Sequence, residues 1–546
     1  MRSKYLNSSA LVLMAMVGVA LGAVAQIFIG GLTAEHIGGL VLANAVIPGL
    51  TKETLDLVKS SFGAPNVGVD VVNKTVSQAS NIVAYDLQAP AKNLYPVNTP
   101  IRNRLPRVSG GGGTATNWKA INSIAGSGFD AMGWVAEGQR TPRMSYVAVD
   151  RSASYKTIGE EDAITFEARN AGVNFEDIRA TGSMRVLQKM MLKEENALLM
   201  GNSSVNLGTP ATPTLAAAGT GATLPAATYS VIAVALTGEG YRGANLATGI
   251  PTSQTLTGAD GQTYVLNGGS SNKSTAATQA VTLGQTLSAS VTAIVGALGY
   301  AWFVGTAGNE RLEAITTINS ATFAAPLAGT GQTAASVAAS DKSANSLAFD
   351  GLLYSALKAG SGAYVRVLPT GVAGIGTKLT ASGRGTVVEI DTMMKAMWDS
   401  AQVSVSVIYV NAQEIQTLTN LALTGPSSSP LLQIFTDPNT GYANLMAGGV
   451  IGWYFNPFTQ GGGVKVPIKI HPSLPPGTIL GWAEDLPAQY QSNNVPNVAE
   501  VKFRQDYYQI DWPLRTRMWE FGVYADEVLA VYAPFAMGVI TNIAPG

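Results

Sequence analysis

Cysteine is absent from the 546 residues, which excludes disulfides, thiolate metal sites and a cysteine nucleophile. Charge is scarce: Asp, Glu, Lys and Arg make up 13% of the chain, against about 25% in ordinary soluble domains. With 34 basic and 35 acidic residues the net charge is −1, so nothing draws the chain globally to nucleic acid or to an acidic membrane. Histidine occurs only at His36 and His471; far apart and beside no obvious partner, both read as structural or surface residues rather than ligands or bases. No GxxxxGK loop, GxSxG elbow, HExxH pair or acid-rich calcium loop is found. No catalytic, cofactor-binding or metal residue is therefore assigned, and an enzyme is the weaker class of answer. What is abundant is glycine, 60 residues or about 11%, against a usual ~7%. A chain with so little charge has little to hold itself apart in solution, so much of its surface is expected to be covered by partners.

The other segments are organised around the longest helical pattern, Phe175 to Gly201. Ile178, Leu187, Met190, Met191, Ala197 and Leu198 recur there at three-and-four spacing, with Glu176 and Asp177 at the start and Gly201 and Asn202 at the stop. Such a helix spans about 40 Å at ~1.5 Å per residue. Gly182 inside it costs about 1 kcal/mol relative to Ala and predicts a bend or fraying in the first turns.

Taken in order, residues 1–34 open on Arg2 and Lys4 and then carry no charge from Tyr5 to Ala34. The pattern fits a secretory signal ending near Ala23-Val24-Ala25, a membrane anchor, a buried N-terminal segment, or a true start at Met14 or Met16. Residues 35–113 read as an arm, with a short helix in TKETLDLVKSSFG and then an extended run in which Pro96, Pro100 and Pro106 forbid a helix. Arg102, Arg104 and Arg107 are expected to bridge segments by salt bridges, and Gly110 to Gly113 reads as a hinge, since no helix start follows to aim amides at a phosphate.

The alternation in 114–159 predicts a two-stranded ribbon, which needs a neighbour because two strands alone are marginal in water. Glu160 and Glu161 read as a solvated face at the start of the segment 160–204 that carries the long helix. From 205 to 341 the strand-like runs ATYSVIAVAL, QTYVLN, TQAVTL, YAWFVG, EAITTIN and ATFAAP, with a GEG turn, resemble an immunoglobulin-like β-sandwich without its cysteine pair. Residues 342–500 resume with helices FDGLLYSAL, VVEIDTMMKAMWDSA and NAQEIQTLTNLAL and the strand VSVIYV, an α+β core. Residues 501–546 read as two or three strands, with Trp512, Trp519 and Tyr524 expected in the core rather than as a ligand platform.

In this order the parts resemble the major capsid proteins of tailed bacteriophages with the HK-97-type fold. The resemblance rests on NTPIRNRLPR at 98–107, WVAEGQ at 134–139, EENALLMG at 194–201, FDGL at 349–352, VVEIDTMMKAMW before VSVIYVNAQEIQTL, and the C-terminal WPLRTRMWEFGVYADEVLAVYAPFAMGVITNI. It implies an α+β fold with an N-terminal arm, an extended loop reaching over an adjacent subunit, a peripheral domain with the long helix as spine, an axial domain over 342–500, and peripheral strands over 501–546. The sandwich would be an insertion. The implied partners are further copies in pentamers and hexamers, with portal, scaffold or decoration proteins around them and DNA enclosed but weakly held; no membrane partner is implied. Residues expected at subunit interfaces are Arg102, Arg104, Arg107, Trp134, Glu137, Gly138, Arg140, Lys156, Arg515 and Arg517. The implied location is the virion. A secreted or surface-anchored adhesin or array protein accounts better for residues 1–34 and worse for the rest, and an encapsulin-like cargo shell shares the fold.

Overall fold

The computed structural model describes residues 94–545 apart from 126–132, 142, 174–175, 259, 338, 383–385, 425–433, 437–442, 446–451 and 488–496. The signal-like segment, the helix expected in TKETLDLVKSSFG and His36 lie outside the described residues. The arm makes one turn before it extends: Asn103 N–H donates to the Thr99 carbonyl at 3.2 Å and Leu105 N–H to that of Ile101 at 3.0 Å. Pro100 tolerates this because a first-turn position needs no N–H. Strand β1 (Arg107–Ser109) follows, then β2 (Ala115–Ala125), β3 (Ser145–Ser154) and β4 (Lys156–Thr165).

Helix α1 (Phe166–Gly172) is capped by the Thr165 hydroxyl, and α2 (Ile178–Met200) by the Asp177 carboxylate, which accepts from the N–H groups of Arg179 and Ala180. The α2 face that is buried comprises Gly182, Val186, Met190, Glu194, Glu195, Leu198, Leu199 and Met200; Leu187, expected on it, is exposed. Gly182 neither frays nor ends the helix. A Cβ there would lie 3.0 Å from Ile164 Cδ1 and 3.2 Å from Phe521 Cζ, so glycine marks the closest approach of α2 to the sheet beneath it.

Between α2 and residue 349 the strands are β5 (Thr214–Ala218), β6 (Ala227–Leu236), β7 (Ser253–Thr257), β8 (Thr263–Asn267), β9 (Ser270–Lys273), β10 (Ala277–Val281), β11 (Thr286–Ser290), β12 (Gly299–Gly305), β13 (Arg311–Thr316) and β14 (Ser320–Phe323). The expected GEG turn instead opens a short helix, α3 (Gly238–Gly243), because the Thr237 hydroxyl accepts from Gly240 N–H and caps it. One sheet runs β10-β6-β12-β13, with β9 also on β6, and a second runs β14-β11-β5. Tyr229, Val231, Ala233, Tyr300 and Trp302 of the first sheet share a core with Leu287, Ala289, Ala321 and Phe323 of the second. The alternate residues Ile232, Val234, Leu236, Ala301 and Phe303 pack with Ala334 and Val337 on the other face. Burial on both faces explains the unbroken apolar runs in β6 and β12.

This module leaves and rejoins the chain at one neck. Asn345 N–H donates to the Asn202 carbonyl at 2.8 Å, Asn202 Nδ2 to the Ser343 carbonyl at 2.9 Å, and Gly351 N–H to the Gly201 carbonyl at 2.8 Å. It is not a separate unit, since Lys92–Gly546 is compact as a whole. Asn319 and Asn542, both buried, bond to each other twice, and buried Tyr354 takes the Gly238 N–H at 2.9 Å while donating to the Gly296 carbonyl at 3.1 Å.

The chain continues through α4 (Leu352–Leu357), β15 (Tyr364–Val367), the pair β16 (Ala381–Ser382) and β17 (Thr386–Val387), α5 (Val388–Ala401), β18 (Val407–Val410) and α6 (Ala412–Thr424). Then come β19 (Ile434–Thr436), β20 (Ala443–Leu445), β21 (Trp453–Asn456), β22 (Val464–Ile470) and β23 (Ile479–Trp482), and finally β24 (Ala499–Asp511), β25 (Met518–Val531) and β26 (Met537–Thr541). A six-stranded sheet runs β15-β26-β23-β18-β22-β21, and a four-stranded sheet β1-β24-β25-β4. The chain end thus does not stay with the C-terminal hairpin. β26, all of it buried, crosses into the six-stranded sheet between β15 and β23, because a strand without a polar face needs cover on both sides. On that sheet Val407 and Tyr409 join the core shared with α4, Val501 and Val528, while Ile408 and Val410 face Ile390, Met393, Met394 and Met397 of α5.

Candidate functional site: a ribbon rooted in a charged clasp

The pairing of β2 with β3 forms the ribbon, of about 35 Å if fully extended at ~3.3 Å per residue. Opposed residues share a face, so Thr116, Trp118 and Ala120 lie with Val149, Arg151 and Ala153 on the inner side, and Trp118 meets Tyr532 edge-on at 5.2 Å. A bulge at Asn122, where two residues of β2 oppose one of β3, then changes the phase. It brings Ile121 and Ile124 onto the same outer face as Ala148 and Tyr146. Ile121, Ile124 and Tyr146 are 59%, 63% and 64% exposed. The described part of the loop is exposed throughout, from Trp134 at 93% through Glu137, Gly138 and Arg140. Gly138 takes φ +77° in a turn closed by Gln139 N–H on the Ala136 carbonyl. The cross-strand pair Lys119–Asp150, 3.6 Å apart and exposed, contributes little.

At the root, two buried acids of α2 grip the arm. Glu195 accepts the N–H of Ile101 at 2.9 Å and of Arg102 at 2.7 Å, and is itself held by His471 Nε2 at 2.5 Å. Since His471 Nδ1 accepts from Ser473 N–H, Nε2 carries the proton. Glu194 takes Arg102 Nε at 2.6 Å, Arg107 Nη1 and the Tyr507 hydroxyl. Arg107 Nη2 also reaches Asp506 at 2.6 Å and Glu527 at 3.0 Å, and both guanidinium groups lie over the Tyr507 ring, at 5.1 and 5.2 Å. Arg104 forms a two-pronged pair with Glu484. Burial works against the Arg107 charge, yet Glu194, Glu527 and Asp506 more than offset it and raise its pKa. Burial pushes Glu527 up to about 8, with Glu194 adding and Arg107 opposing.

The structure therefore engages Arg102, Arg104 and Arg107 inside the chain, as the salt-bridge reading expects, rather than leaving them open on a surface. Of the other expected interface residues, Lys156 Nζ donates to the Ser346 carbonyl at 2.6 Å, Arg515 is exposed, and Arg517 pairs with Glu167 at 2.7 Å in solvent. Trp512, Trp519 and Tyr524 are not core residues. Trp512 is exposed and gives its indole N–H to Glu161, Tyr524 gives its hydroxyl to the same carboxylate, and Trp519 packs against Phe166 and beneath Arg169. Trp519 lies near the start of β25 against α1, Tyr524 on the opposite face of the same strand, and Trp512 just beyond the end of β24, placements that their Val and Met neighbours do not reveal. Glu160 pairs with Lys193. Among the described residues no group of three His, Asp or Glu could hold a metal ion, and no helix is long and apolar enough to cross a membrane.

Sequence reading missed Glu194, Glu195, His471, Glu484, Tyr507 and Glu527 as members of the clasp. A signal existed for one of them: Val186, Met190, Glu194 and Leu198 fall four apart on one helix face, and an acid on an apolar stripe asks for a buried cation.

No family model and no curated protein matches the sequence. Similar solved structures include the capsid of the native GTA particle, 9% identical over 88% of this chain and 100% of that one, with a TM-score of 0.38. The capsid of Myoviridae phage XM1 is 8% identical over 85% and 98%, with a TM-score of 0.37. The holo-SrpI encapsulin complex from Synechococcus elongatus PCC 7942 is 9% identical over 86% and 95%, with a TM-score of 0.34.

Proposed function

We propose that the chain is a shell-forming subunit of the HK-97-type fold, the major capsid protein of a tailed bacteriophage, which assembles into pentamers and hexamers around a DNA genome. The observation that carries this reading is the outer face of the ribbon. Ile121, Ile124 and Tyr146 are aligned there by the bulge, fixed at the root and uncovered by any described residue of the same chain. Covering each such side chain contributes roughly 1.5–3 kcal/mol at full burial, and a second copy is the cover that a ring of identical subunits supplies. The near-neutral net charge suits a container that must enclose DNA without adhering to it. The module over 205–341 is read as an inserted immunoglobulin-like sandwich, which its hydrogen-bonded neck supports. No cofactor, metal or catalytic step enters this function.

Negative-stain microscopy after size fractionation tests the reading. Shells, or rings of five and six, are expected from the native sequence, and dispersed subunits with unchanged far-ultraviolet dichroism from Ile124→Glu combined with Tyr146→Glu. A native chain that stays monomeric at high concentration overturns it. Nuclease-protected DNA within particles supports the genome container, whereas a protein cargo without DNA makes the shell an encapsulin-type compartment.

A further inference from the structure

We propose that the outer face of β21 and β22 is a platform for single-stranded nucleic acid, on which Trp453 and Phe455 stack against bases while Lys465 and Lys469 hold phosphates. This inference does not depend on the shell reading. Tyr454 and Asn456 of β21 are buried, and Trp453 and Phe455, which alternate with them, are 62% and 59% exposed. The strands pair antiparallel, with Trp453 opposite Pro467 and Phe455 opposite Lys465. Opposed residues share a face, so Lys465, Pro467 and Lys469 stand beside the two rings, while Val466 and Ile468 join Tyr454 in the core against α5.

The face is held from below. The Tyr454 hydroxyl donates to Asp391 of α5 at 2.6 Å and accepts from the Val387 N–H at 2.8 Å, which ties down the strand between the two rings. Gly463 stands where the chain enters β22, and a Cβ there would collide with the Phe455 ring, so the missing side chain lets that ring lie against the backbone. Rings already set in place lose little freedom when a flat partner covers them.

Charge selects the partner. From Gly452 to Ile470 the chain carries two lysines and no acid, and among the described residues neither lysine is in an ion pair. An apolar partner would leave both ammonium groups without a counter-ion, and an acidic chain without rings would leave the aromatic faces to water. A nucleotide strand meets both demands, because its phosphates neutralise lysines and every base offers a flat face. Alternate positions on one strand lie about 6.6 Å apart, and aromatic residues on an open sheet face stack two or three unpaired bases in this manner. With a net charge of −1 over the whole chain, the attraction is confined to this face.

Fluorescence anisotropy of a labelled oligothymidylate of about 12 nucleotides, with the full-length chain at low salt, tests this. Saturable binding is expected, with a slope of log affinity against log salt of about −1.4 from two phosphate contacts. It should weaken between about fivefold and a hundredfold when the strand is made abasic, and likewise in Trp453→Ala. Lys465→Gln combined with Lys469→Gln should bring the salt slope near zero. Absence of binding at low salt overturns the proposal, and so does equal binding of the abasic strand, because the rings would then take no part. A Trp453→Ala chain that binds the strand as the native chain does, but no longer forms rings or shells, makes the face a contact between copies and also overturns it. Should Trp453→Ala not fold, the two strands compared on the native chain decide alone.

Discussion

Arg107 shows how far context decides what one residue contributes. Its guanidinium is shared by Glu194, Glu527 and Asp506. Arg107→Met would leave Glu194 and Glu527 buried without their common cation, so urea denaturation should show a loss of about 3–5 kcal/mol. Arg517→Ala breaks only the solvent-exposed pair with Glu167 and should cost less than about 1 kcal/mol. Equal losses at the two sites would contradict the clasp as described. Gly182 is a second case. A Cβ fits only with movement of Ile164 and Phe521, so Gly182→Leu should overpack the α2 interface and lower stability by about 1–3 kcal/mol despite its better helix propensity. The arginines were legible as segment bridges, since cations in an extended arm need anions. Glu527 was not legible, because nothing in the alternation of β25 separates a buried acid from the solvated one its residue type suggests.

At the scale of elements, the sequence announces those whose period is clean. The long helix, the helices at Val388–Ala401 and Ala412–Thr424, and the ribbon all carry it. It is less informative where a strand's role depends on what covers it. β25 has the residues of a core strand, yet Trp519, near its start, and Tyr524, on the opposite face, are only half-buried. On β21 the burial alternates so that Trp453 and Phe455, 62% and 59% exposed, face outward while Tyr454 is buried against α5. The ribbon depends on a single inserted residue. Inserting one residue between Val147 and Ala148 of β3 should give Asn122 a partner, restore strict alternation and turn Ile124 and Tyr146 together away from the face of Ile121 and Ala148. Particle yield should then fall as in the glutamate variants, with the rest of the chain still folded by dichroism.

At the scale of the whole molecule, the strands β5 to β14 leave and rejoin the chain at one neck and are also docked on the rest of it. Replacing 208–341 by a short Gly-Ser link should leave the clasp and the six-stranded sheet folded, because neither uses the module's strands. It should nevertheless lower the thermal midpoint by a few kcal/mol of stability, at about 1 kcal/mol per buried bond lost at Asn542 and Tyr354. An unchanged midpoint would show that the module is only suspended from its neck. The sequence by itself determined the local order: a Pro-marked arm, a ribbon with no core of its own, a long helix stopped at Gly201 and a β-rich stretch between two helical ones. These follow from residue period and backbone preference, which act over a few residues. Only the tertiary structure decided that β26 crosses to the six-stranded sheet, that the bulge at Asn122 collects an apolar face, and that Glu194 and Glu527 share the Arg107 guanidinium. Those outcomes turn on which surfaces exclude water together, and that is a property of contacts between segments hundreds of residues apart.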